Sequence, residues 1–364
     1  MFIMRKETAL RPELRVKARG ALDNATGRFE REHRIAEDDG WDLPEDERLL
    51  RTEVRIEAPR TAISYNRSPD LPFDRSVNPY RGCEHGCVYC FARPTHAWLN
   101  LSPGLDFETR LIARPGIGAV LAQEIGRRSY KVAPIAIGTN TDPYQPCEAD
   151  HRVMREVLQV LHDWNHPVAI TTKGALVERD IDLIAPMAAA GLVRVGISVT
   201  TLDAGLSRAM EPRCPSPQRR LQVIRRLSDV GVPVRVMIAP VIPGLTDHEL
   251  EPILAAARAA GAVAASWIML RLPLEVAPMM KDWLETRLPG RAAKVMARIR
   301  EVHGGRDYDP EWGRRMRGEG LWSDLIAQRF DKACTREGLT IIQPPLRTDL
   351  FARPVQAGDQ LSLF

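Results

Sequence analysis

The sequence predicts an α/β protein built on a partial (β/α)6 barrel, with an N-terminal extension and a C-terminal helical tail. From residue 70 onward, short runs of β-forming residues alternate with segments of helical periodicity, which is typical of repeated βα units. The chain has 364 residues, 44% of them hydrophobic, enough to bury the core of one such domain. The region after residue 303 does not supply the two further units that a closed eight-stranded barrel needs.

Six strands and seven helices are predicted in order. The strands are expected at 76–80, 133–138, 168–172, 193–200, 234–239 and 265–270, and the helices at 117–125, 151–162, 177–190, 218–230, 247–260, 281–302 and 321–337. Thr246 with Asp247, and Ser216 before Pro217, are typical of helix starts. Two helices are expected to end at glycines, Gly191 and Gly231.

Four regions are predicted along the chain. Residues 1–65 form a charged N-terminal extension, with acidic runs such as 37–39, and we expect it to be partly disordered or wrapped over the core, with Trp41 as an anchor. A solvated tail without function remains an alternative. The barrel spans 66–303, a C-terminal segment follows over 304–350, and the tail is 351–364.

Composition narrows the protein class. A net charge of +4 is too small to indicate nucleic acid by itself, although abundant arginine suits phosphate contacts. No stretch approaches the roughly 18 apolar residues of a membrane span, and the N-terminus lacks the apolar core of a signal peptide. We therefore expect a soluble protein with no membrane partner. Its six cysteines do not suggest a disulfide framework and need a reducing compartment, so we expect it in the cytoplasm.

The most informative motif is a loop with three cysteines spaced C-x3-C-x2-C. Cys83, Cys87 and Cys90 follow the first predicted strand directly, and Tyr89 precedes the last of them. Three thiolates on one tight loop can hold three irons of a cubane cluster, while the fourth iron keeps an open coordination position. An open iron accepts a ligand that is not protein.

A structural zinc site is the alternative for the same cysteines. It would need a fourth ligand, for which His85 or His96 is available. Zinc loops usually pair one C-x2-C with a second distant pair, but the other cysteines, Cys147, Cys214 and Cys334, are single and far apart.

Polar residues follow the next predicted strands. Thr141 and Asp142 lie in the loop after strand two, Lys173 ends strand three, and Ser198 shares one face of strand four with Thr200. Because active sites of parallel α/β proteins lie at the carboxyl ends of the strands, these side chains are expected beside the cysteine loop. Each of them could instead be a barrel polar group or a helix cap.

The cysteine loop resembles that of the radical S-adenosylmethionine (SAM) superfamily. With the Thr-Asn-Thr-Asp loop, Thr-Lys, Ser-Val-Thr and Glu211-Pro212-Arg213, residues 70 to 275 resemble its spore photoproduct lyase branch and that branch's photolyase-like bacterial relatives. The resemblance implies a [4Fe-4S] cluster on the three cysteines, an electron donor as partner, and SAM cleavage to a 5′-deoxyadenosyl radical. It also implies that SAM is contacted by Thr141, Asp142, Lys173 and Ser198, and we expect Tyr89 to belong to the cofactor site by packing beside the cluster.

The same resemblance implies that three arginines face the substrate or SAM. They are Arg213, Arg219 and Arg220. The alternative is that they are ordinary surface arginines.

The chain departs from the family at two positions. The Gly-Gly-Glu that many members use for the methionine amine is missing. The cysteine that returns a hydrogen atom to the repaired thymine in spore photoproduct lyase is replaced by Thr139, a poor hydrogen-atom donor. Repair of the spore photoproduct itself would therefore need Cys147 or Cys214 as a substitute, or the substrate differs.

The last five residues form a second motif: Gln360, Leu361, Ser362, Leu363 and Phe364. This segment resembles the sliding-clamp-binding peptide of bacterial replication and repair proteins, in which apolar anchors enter a groove. A C-terminus that folds back on its own core is the alternative.

These patterns leave three functional hypotheses. The leading one is a radical SAM enzyme that abstracts hydrogen from a DNA base or lesion, as a DNA-repair lyase would. The second is a non-catalytic zinc or iron-sulfur adaptor recruited to DNA. The third keeps the radical chemistry but acts on RNA or a small molecule.

Overall fold

The computed structural model describes residues 19–30 and 50–354. The acidic run 37–39, the anchor Trp41 and the C-terminal motif 360–364 lie outside the described residues. The strands are β1 (Glu53–Ile56), β2 (Ile63–Tyr65), β3 (Arg75–Val77), β4 (Tyr80–Arg81), β5 (Arg110–Ala113), β6 (Ile135–Ile137), β7 (Val168–Thr172), β8 (Val193–Ser198), β9 (Val234–Val241) and β10 (Ala264–Met269).

The main sheet has seven strands in the order β10-β9-β8-β7-β6-β3-β2. Six of them, β3 and β6 to β10, are parallel and adjacent in chain order, and β2 pairs with β3 in antiparallel fashion. Six parallel strands are therefore confirmed for the partial barrel. The first, predicted at 76–80, is shorter, since β3 ends at Val77 and Tyr80–Arg81 pairs in a different sheet as β4. Because the six strands are parallel, their carboxyl ends meet at one edge.

Helices connect successive strands. They are α1 (Asp106–Thr109), α2 (Ile117–Ile125), α3 (Glu148–His151), α4 (Val153–Asp163), α5 (Ile181–Ala189), α6 (Ala204–Met210), α7 (Pro217–Asp229), α8 (Leu250–Ala259), α9 (Val276–Arg287), α10 (Pro289–Val302), α11 (Arg314–Arg317) and α12 (Leu321–Glu337), with 3₁₀ turns at Arg93–Leu99, Ala175–Asp180 and Asp247–Glu249. No helix within 19–30 or 50–354 is long and apolar enough to cross a membrane.

Alternate apolar residues of the parallel strands form the core. In β8, Val193, Val195 and Ile197 are buried, and α4 covers the sheet with Val153, Val157 and other buried side chains of its apolar face. The strand residues between these apolar positions, such as Ala169 and Arg194, are only half-buried, so β7 and the start of β8 bury mainly one face.

Two predicted helix starts differ in detail. Ser216 caps α7 as expected, because its hydroxyl accepts a hydrogen bond from the Arg219 backbone N–H. Thr246 and Asp247 instead accept hydrogen bonds from the backbone of the preceding loop. The predicted helix 281–302 is two helices, since Leu288 leaves the helical conformation and Pro289 begins α10.

A second, smaller sheet supports the cysteine loop. It has the order β1-β5-β4, and β4 immediately precedes the loop. At the other end of the chain, α12 packs on α8 through an ion pair of Arg329 with Glu251 at 2.6 Å. Thr340 then bridges to Ala264 in β10.

Candidate active site

The cysteine loop lies beyond β3 and β4, at the carboxyl edge of the parallel sheet. Cys83 and Cys87 are buried, and Cys90 is half-buried. Gly82 and Gly86 have φ angles of +76° and +66°, and a Cβ on Gly86 would lie 2.6 Å from Glu108 Oε2. Glycine at both positions therefore allows the loop to turn tightly against its neighbours.

Backbone hydrogen bonds from three directions fix the loop. The Cys83 N–H donates to Phe107 O at 2.9 Å, and the Val88 N–H donates to Met210 O at 3.0 Å. The fully buried Gln145 accepts from the Glu84 N–H at 2.8 Å and donates to Gly82 O at 3.2 Å. The sequence analysis did not identify Gln145 as a residue that holds the cysteine loop. The only indication was that it is a polar residue in the loop after the second predicted strand.

The three cysteines share one neighbourhood. Cys90 packs with Cys83, Ala92 and Phe107 on one side and with the apolar group that contains Cys87 on the other. Burial raises the pKa of the Cys83 and Cys90 thiols, so binding of iron has to displace their protons.

This arrangement suits a cubane cluster better than a single ion. Within 19–30 and 50–354, no three His, Cys, Asp or Glu side chains converge on a point where one metal ion could bind. Cubane donors need no such convergence, because each thiolate binds a different iron. The two candidate fourth zinc ligands have other neighbours: His85 Nδ1 lies 3.3 Å from Asp142 Oδ2, and His96 Nε2 lies 3.0 Å from Arg110 O.

Asp142 links the second and third βα units. Its carboxylate accepts hydrogen bonds from the Thr172 hydroxyl at 2.6 Å, the Lys173 N–H at 2.7 Å and the Tyr144 N–H at 2.9 Å. Burial raises the pKa of Asp142, but the charge of His85 and these hydrogen bonds outweigh it and lower the pKa to about 2. Asp142 is thus an ionised anchor for the end of β7.

Lys173 lies beside Tyr89 and Ser198. Its Nζ donates to Ser198 Oγ at 3.1 Å and to Ala239 O at 3.4 Å, and it lies 5.8 Å from the centre of the Tyr89 ring. The structure therefore brings three of the predicted site residues together from the cysteine loop, β7 and β8.

Glu211 completes this group. It accepts hydrogen bonds from the Tyr89 hydroxyl, the Arg220 guanidinium and, at 2.9 Å, the Thr200 hydroxyl. Burial raises the pKa of Glu211, but the charges of Arg220 and Lys173 and these hydrogen bonds lower it to about 2. The family resemblance includes Glu211 without a role for it, because a sequence does not show which cation a carboxylate will meet.

The three predicted arginines have different surroundings. Arg220 is buried against Glu211, whereas Arg219 forms a bidentate pair with Glu178, both contacts at 2.7 Å. Arg213 lies 3.1 Å from Glu84 in the cysteine loop.

The remaining predicted residues lie at different depths. The buried Thr141 hydroxyl donates to Tyr80 O at 2.9 Å, at the start of the cysteine loop. Thr139 is half-buried. Of the two substitute cysteines, Cys214 has its sulfur 3.9 Å from that of Cys87, whereas Cys147 is buried at the start of α3.

Comparison with known proteins identifies the family. The radical SAM superfamily model matches residues 77–257, which include the cysteine loop and β6 to β9. An uncharacterized protein of Mycobacterium tuberculosis is 39% identical over 260 residues, covering 71% of this chain and 75% of the relative. The chain belongs to the radical SAM superfamily. An uncharacterized protein of Methanocaldococcus jannaschii is 27% identical over 173 residues, 48% of this chain and 62% of the relative.

Solved structures agree with this fold. Spore photoproduct lyase complexed with dinucleoside spore photoproduct superposes with a TM-score of 0.53 and 15% identity, covering 79% of this chain and 81% of that one. A double mutant of the same lyase with bound AdoMet and the dinucleoside also has a TM-score of 0.53, at 14% identity and the same coverage. Radical SAM proteins are enzymes that use a [4Fe-4S] cluster and SAM, so this chain is an enzyme with these two cofactors. The non-catalytic adaptor is therefore excluded.

Proposed function

We propose that this enzyme cleaves SAM reductively and abstracts a hydrogen atom from a nucleic-acid base, with DNA as the substrate. When bound, the reduced cluster supplies the electron that breaks the SAM sulfonium bond and so generates the 5′-deoxyadenosyl radical. The observation that supports this most is the meeting of the cysteine loop with Lys173, Tyr89 and Glu211 at the carboxyl edge of the sheet.

Cys83, Cys87 and Cys90 are the proposed cluster ligands. Their loop is held by backbone bonds from separate elements, so the thiols are oriented before iron binds. A fourth protein ligand is not required, because the open iron is where the amino and carboxylate groups of SAM would bind.

Lys173 is the proposed partner of the SAM carboxylate. Its ammonium lies 4.0 Å from Glu211, a loose contact, while Arg220 pairs with that carboxylate directly. Two cations therefore share one buried carboxylate, which leaves a net positive charge beside Tyr89. Such a site favours an incoming anion.

The other residues proposed for the SAM site have different roles. Ser198 orients the Lys173 ammonium and can accept a bond from the SAM ribose. Asp142 and Thr141 act mainly through the backbone of Lys173 and Tyr80, because their side chains are already bonded there. Tyr89 directly precedes Cys90, and its ring centre lies 5.8 Å from the Lys173 ammonium.

An arginine and a phenylalanine at the mouth of the site support a nucleic-acid substrate. Arg271 follows β10, and its guanidinium lies 4.4 Å from the ring of Phe91, which directly follows Cys90 and is 40% exposed. Within the described residues Arg271 has no carboxylate partner, and its buried Nε has no hydrogen-bond partner. A guanidinium beside an exposed aromatic ring suits a phosphate next to a stacked base.

The substrate we propose is not the spore photoproduct itself. The position of the hydrogen-returning cysteine is Thr139, whose hydroxyl is a poor hydrogen-atom donor. Cys214 is the better placed substitute, since its sulfur lies beside Cys87. Recruitment to DNA through Gln360 to Phe364 is a further part of the proposal.

SAM cleavage is tested first. Anaerobically reconstituted protein is reduced with dithionite in the presence of SAM, and 5′-deoxyadenosine is quantified. The proposal expects 5′-deoxyadenosine from the wild type and almost none from Cys87→Ala. Cys334→Ala is the matched control, because Cys334 is a buried residue of α12 in the main core, away from the loop. Equal yields from wild type and Cys87→Ala would refute the ligand assignment.

The substrate is tested next with ultraviolet-irradiated DNA, irradiated RNA and free nucleosides. DNA with deuterium on its bases should transfer deuterium to 5′-deoxyadenosine. Transfer from RNA or nucleosides alone would replace DNA as the substrate class while leaving the SAM chemistry intact.

A further inference from the structure

We infer that residues 19–30, here called the strap, belong to the cluster site and position the cysteine loop. The strap lies outside the segment that matches the radical SAM family, which begins at residue 77. It also lies in the region that the sequence predicts to be a charged extension. Three separate contacts connect it to the loop.

The first contact passes through Glu108. The Gly20 and Ala21 N–H groups donate to the Glu108 carboxylate at 3.0 and 2.8 Å, and Arg93 pairs with the same carboxylate at 2.5 Å. Arg93 in turn donates to Cys87 O at 3.0 Å. Arg93 and Glu108 are both fully buried, so this ion pair depends on further hydrogen bonds to the remaining polar atoms of the two side chains.

The second contact passes through Thr52. Arg19 donates to the Thr52 hydroxyl at 3.1 Å and to Glu108 O at 2.9 Å, and the Thr52 hydroxyl donates to Glu84 Oε1 at 2.5 Å. Glu84 is the residue after Cys83. Arg19 is only 6% exposed, so the strap inserts a charged side chain beneath the loop instead of lying on the surface.

The third contact is steric. A Cβ on Gly20 would lie 1.8 Å from Gly86 O, in the middle of the cysteine loop. No side chain fits there, so Gly20 and Gly86 are in direct backbone contact. The strap therefore limits where the segment between Cys83 and Cys87 can lie.

Gly20 and Arg19 are thus positioning residues, acting on the cluster ligands through the loop. The test uses Gly20→Ala, which must push strap and loop apart, and Gly27→Ala as its control in the same segment. A Cβ on Gly27 meets first the flexible end of Glu30, at 3.2 Å.

Hydrogen exchange of the apo protein is the first readout, because it needs no cofactor. We expect amides 82–90 to exchange about tenfold faster in Gly20→Ala, and to stay within about twofold of wild type in Gly27→Ala. Unchanged exchange in the loop, or equal acceleration across β6 to β9, would overturn the inference.

Iron and sulfide content after anaerobic reconstitution is the second readout. Gly20→Ala should bind less than half of the wild-type iron per folded chain, and Gly27→Ala should bind the wild-type amount. Full cluster loading despite a faster exchanging loop would show that the strap does not position the ligands.

A second pair of variants covers the case in which Gly20→Ala does not fold. Arg19→Met removes the bonds to Thr52 and Glu108 without adding a clash, and Arg28→Met removes an arginine whose contacts are longer, 3.3 Å to Pro94 O and 3.5 Å to Glu275. Only Arg19→Met should accelerate exchange in 82–90; equal behaviour of both would contradict the inference. The exchange result does not depend on the ligand assignment, which Cys87→Ala tests separately.

Discussion

At the scale of single residues, the Glu211 carboxylate and the two cations near it determine the charge of the site. Glu211 is shared by Arg220 and Lys173 and receives the Tyr89 hydroxyl, all of them from different elements. The sequence predicted Tyr89, Lys173 and Ser198 as site residues. It did not reveal that Glu211 joins them, because these contacts span up to 122 positions along the chain.

Lys173 supplies the first prediction. Lys173→Met should weaken SAM binding by roughly 10- to 100-fold, since it removes a charge-assisted bond worth about 1.5–3 kcal/mol. Lys173→Arg keeps the charge and should lose much less. Equilibrium dialysis of radiolabelled SAM with reconstituted protein measures this, and unaltered affinity in Lys173→Met would exclude the proposed carboxylate contact.

Glu211 gives a prediction for pH. Its pKa falls from an ordinary 4.5 to about 2 in the folded protein, and that of Asp142 falls from 3.8 to about 2. Depressed carboxyl pKa values contribute stability that is present above the unfolded values and is lost as pH falls toward the folded ones. The free energy of unfolding of the apo protein should therefore drop between about pH 4.5 and pH 2.

Urea denaturation over that pH range checks the prediction. Glu211→Gln should be less stable than wild type at pH 7 by about 3 kcal/mol or more, because Arg220 is left buried without its counter-charge. Its stability should also depend less steeply on pH. A wild-type slope in Glu211→Gln would mean that Glu211 is not the titrating group.

Arg271 gives the prediction for substrate. Arg271→Met should weaken DNA binding. It should also reduce the slope of the logarithm of the binding constant against the logarithm of salt concentration by about one. SAM cleavage without DNA should stay at the wild-type rate. Fluorescence anisotropy at several salt concentrations measures the effect, with Arg225→Met, an arginine on helix α7, as control; equal losses in both variants would contradict a specific contact.

The cysteine loop is the decisive feature at the scale of elements. Its path follows from two glycines with positive φ and from backbone bonds to α1, to the end of α6 and to Gln145. The motif spacing predicted the loop and its place after the first strand. The elements that hold it could not be predicted, since each pairs with the loop over a long separation.

Gln145 supplies a prediction at this scale. Gln145→Leu leaves the Glu84 N–H and Gly82 O buried without partners, at a cost of about 1–3 kcal/mol each. We expect a lower midpoint of thermal unfolding and reduced cluster content. Gln159→Leu, at an exposed position of α4, should change stability by no more than about 0.5 kcal/mol, and similar losses in the two variants would argue against the role given to Gln145.

The six parallel strands and most helices were predictable because periodic burial is written into the local sequence. The break between α9 and α10 was missed, although Pro289 follows Leu288 there, because the apolar pattern continues across it. The predicted helix 177–190 likewise begins too early, because the structure has a 3₁₀ turn at Ala175–Asp180 before α5.

At the scale of the whole molecule, the sequence predicts residues 1–65 as a charged extension that is partly disordered or wrapped over the core. Their composition indicates a polar extension, yet β1 pairs with β5, β2 pairs with β3, and residues 19–21 lie beneath the cysteine loop. Such contacts use backbone groups and a few side chains, so they leave no periodic signal. The domain boundaries at 65, 303 and 350 remain predictions.

The last five residues give a prediction for the whole chain. Deleting Gln360 to Phe364 should abolish binding to a bacterial sliding clamp in surface plasmon resonance and leave SAM cleavage unchanged. Replacing Leu363 and Phe364 by alanine should have the same effect, because these are the apolar anchors. Clamp binding that survives both changes would remove this peptide from the account.

The central claim is that Cys83, Cys87 and Cys90 hold a cubane whose fourth iron is open to SAM. Electron–nuclear double resonance on the reduced protein, with SAM labelled by ¹⁵N in its amino group, tests it most directly. The account predicts a [4Fe-4S]⁺ signal that changes on SAM addition and shows coupling to the labelled nitrogen. A signal that is indifferent to SAM, or protein that carries zinc alone, would contradict it.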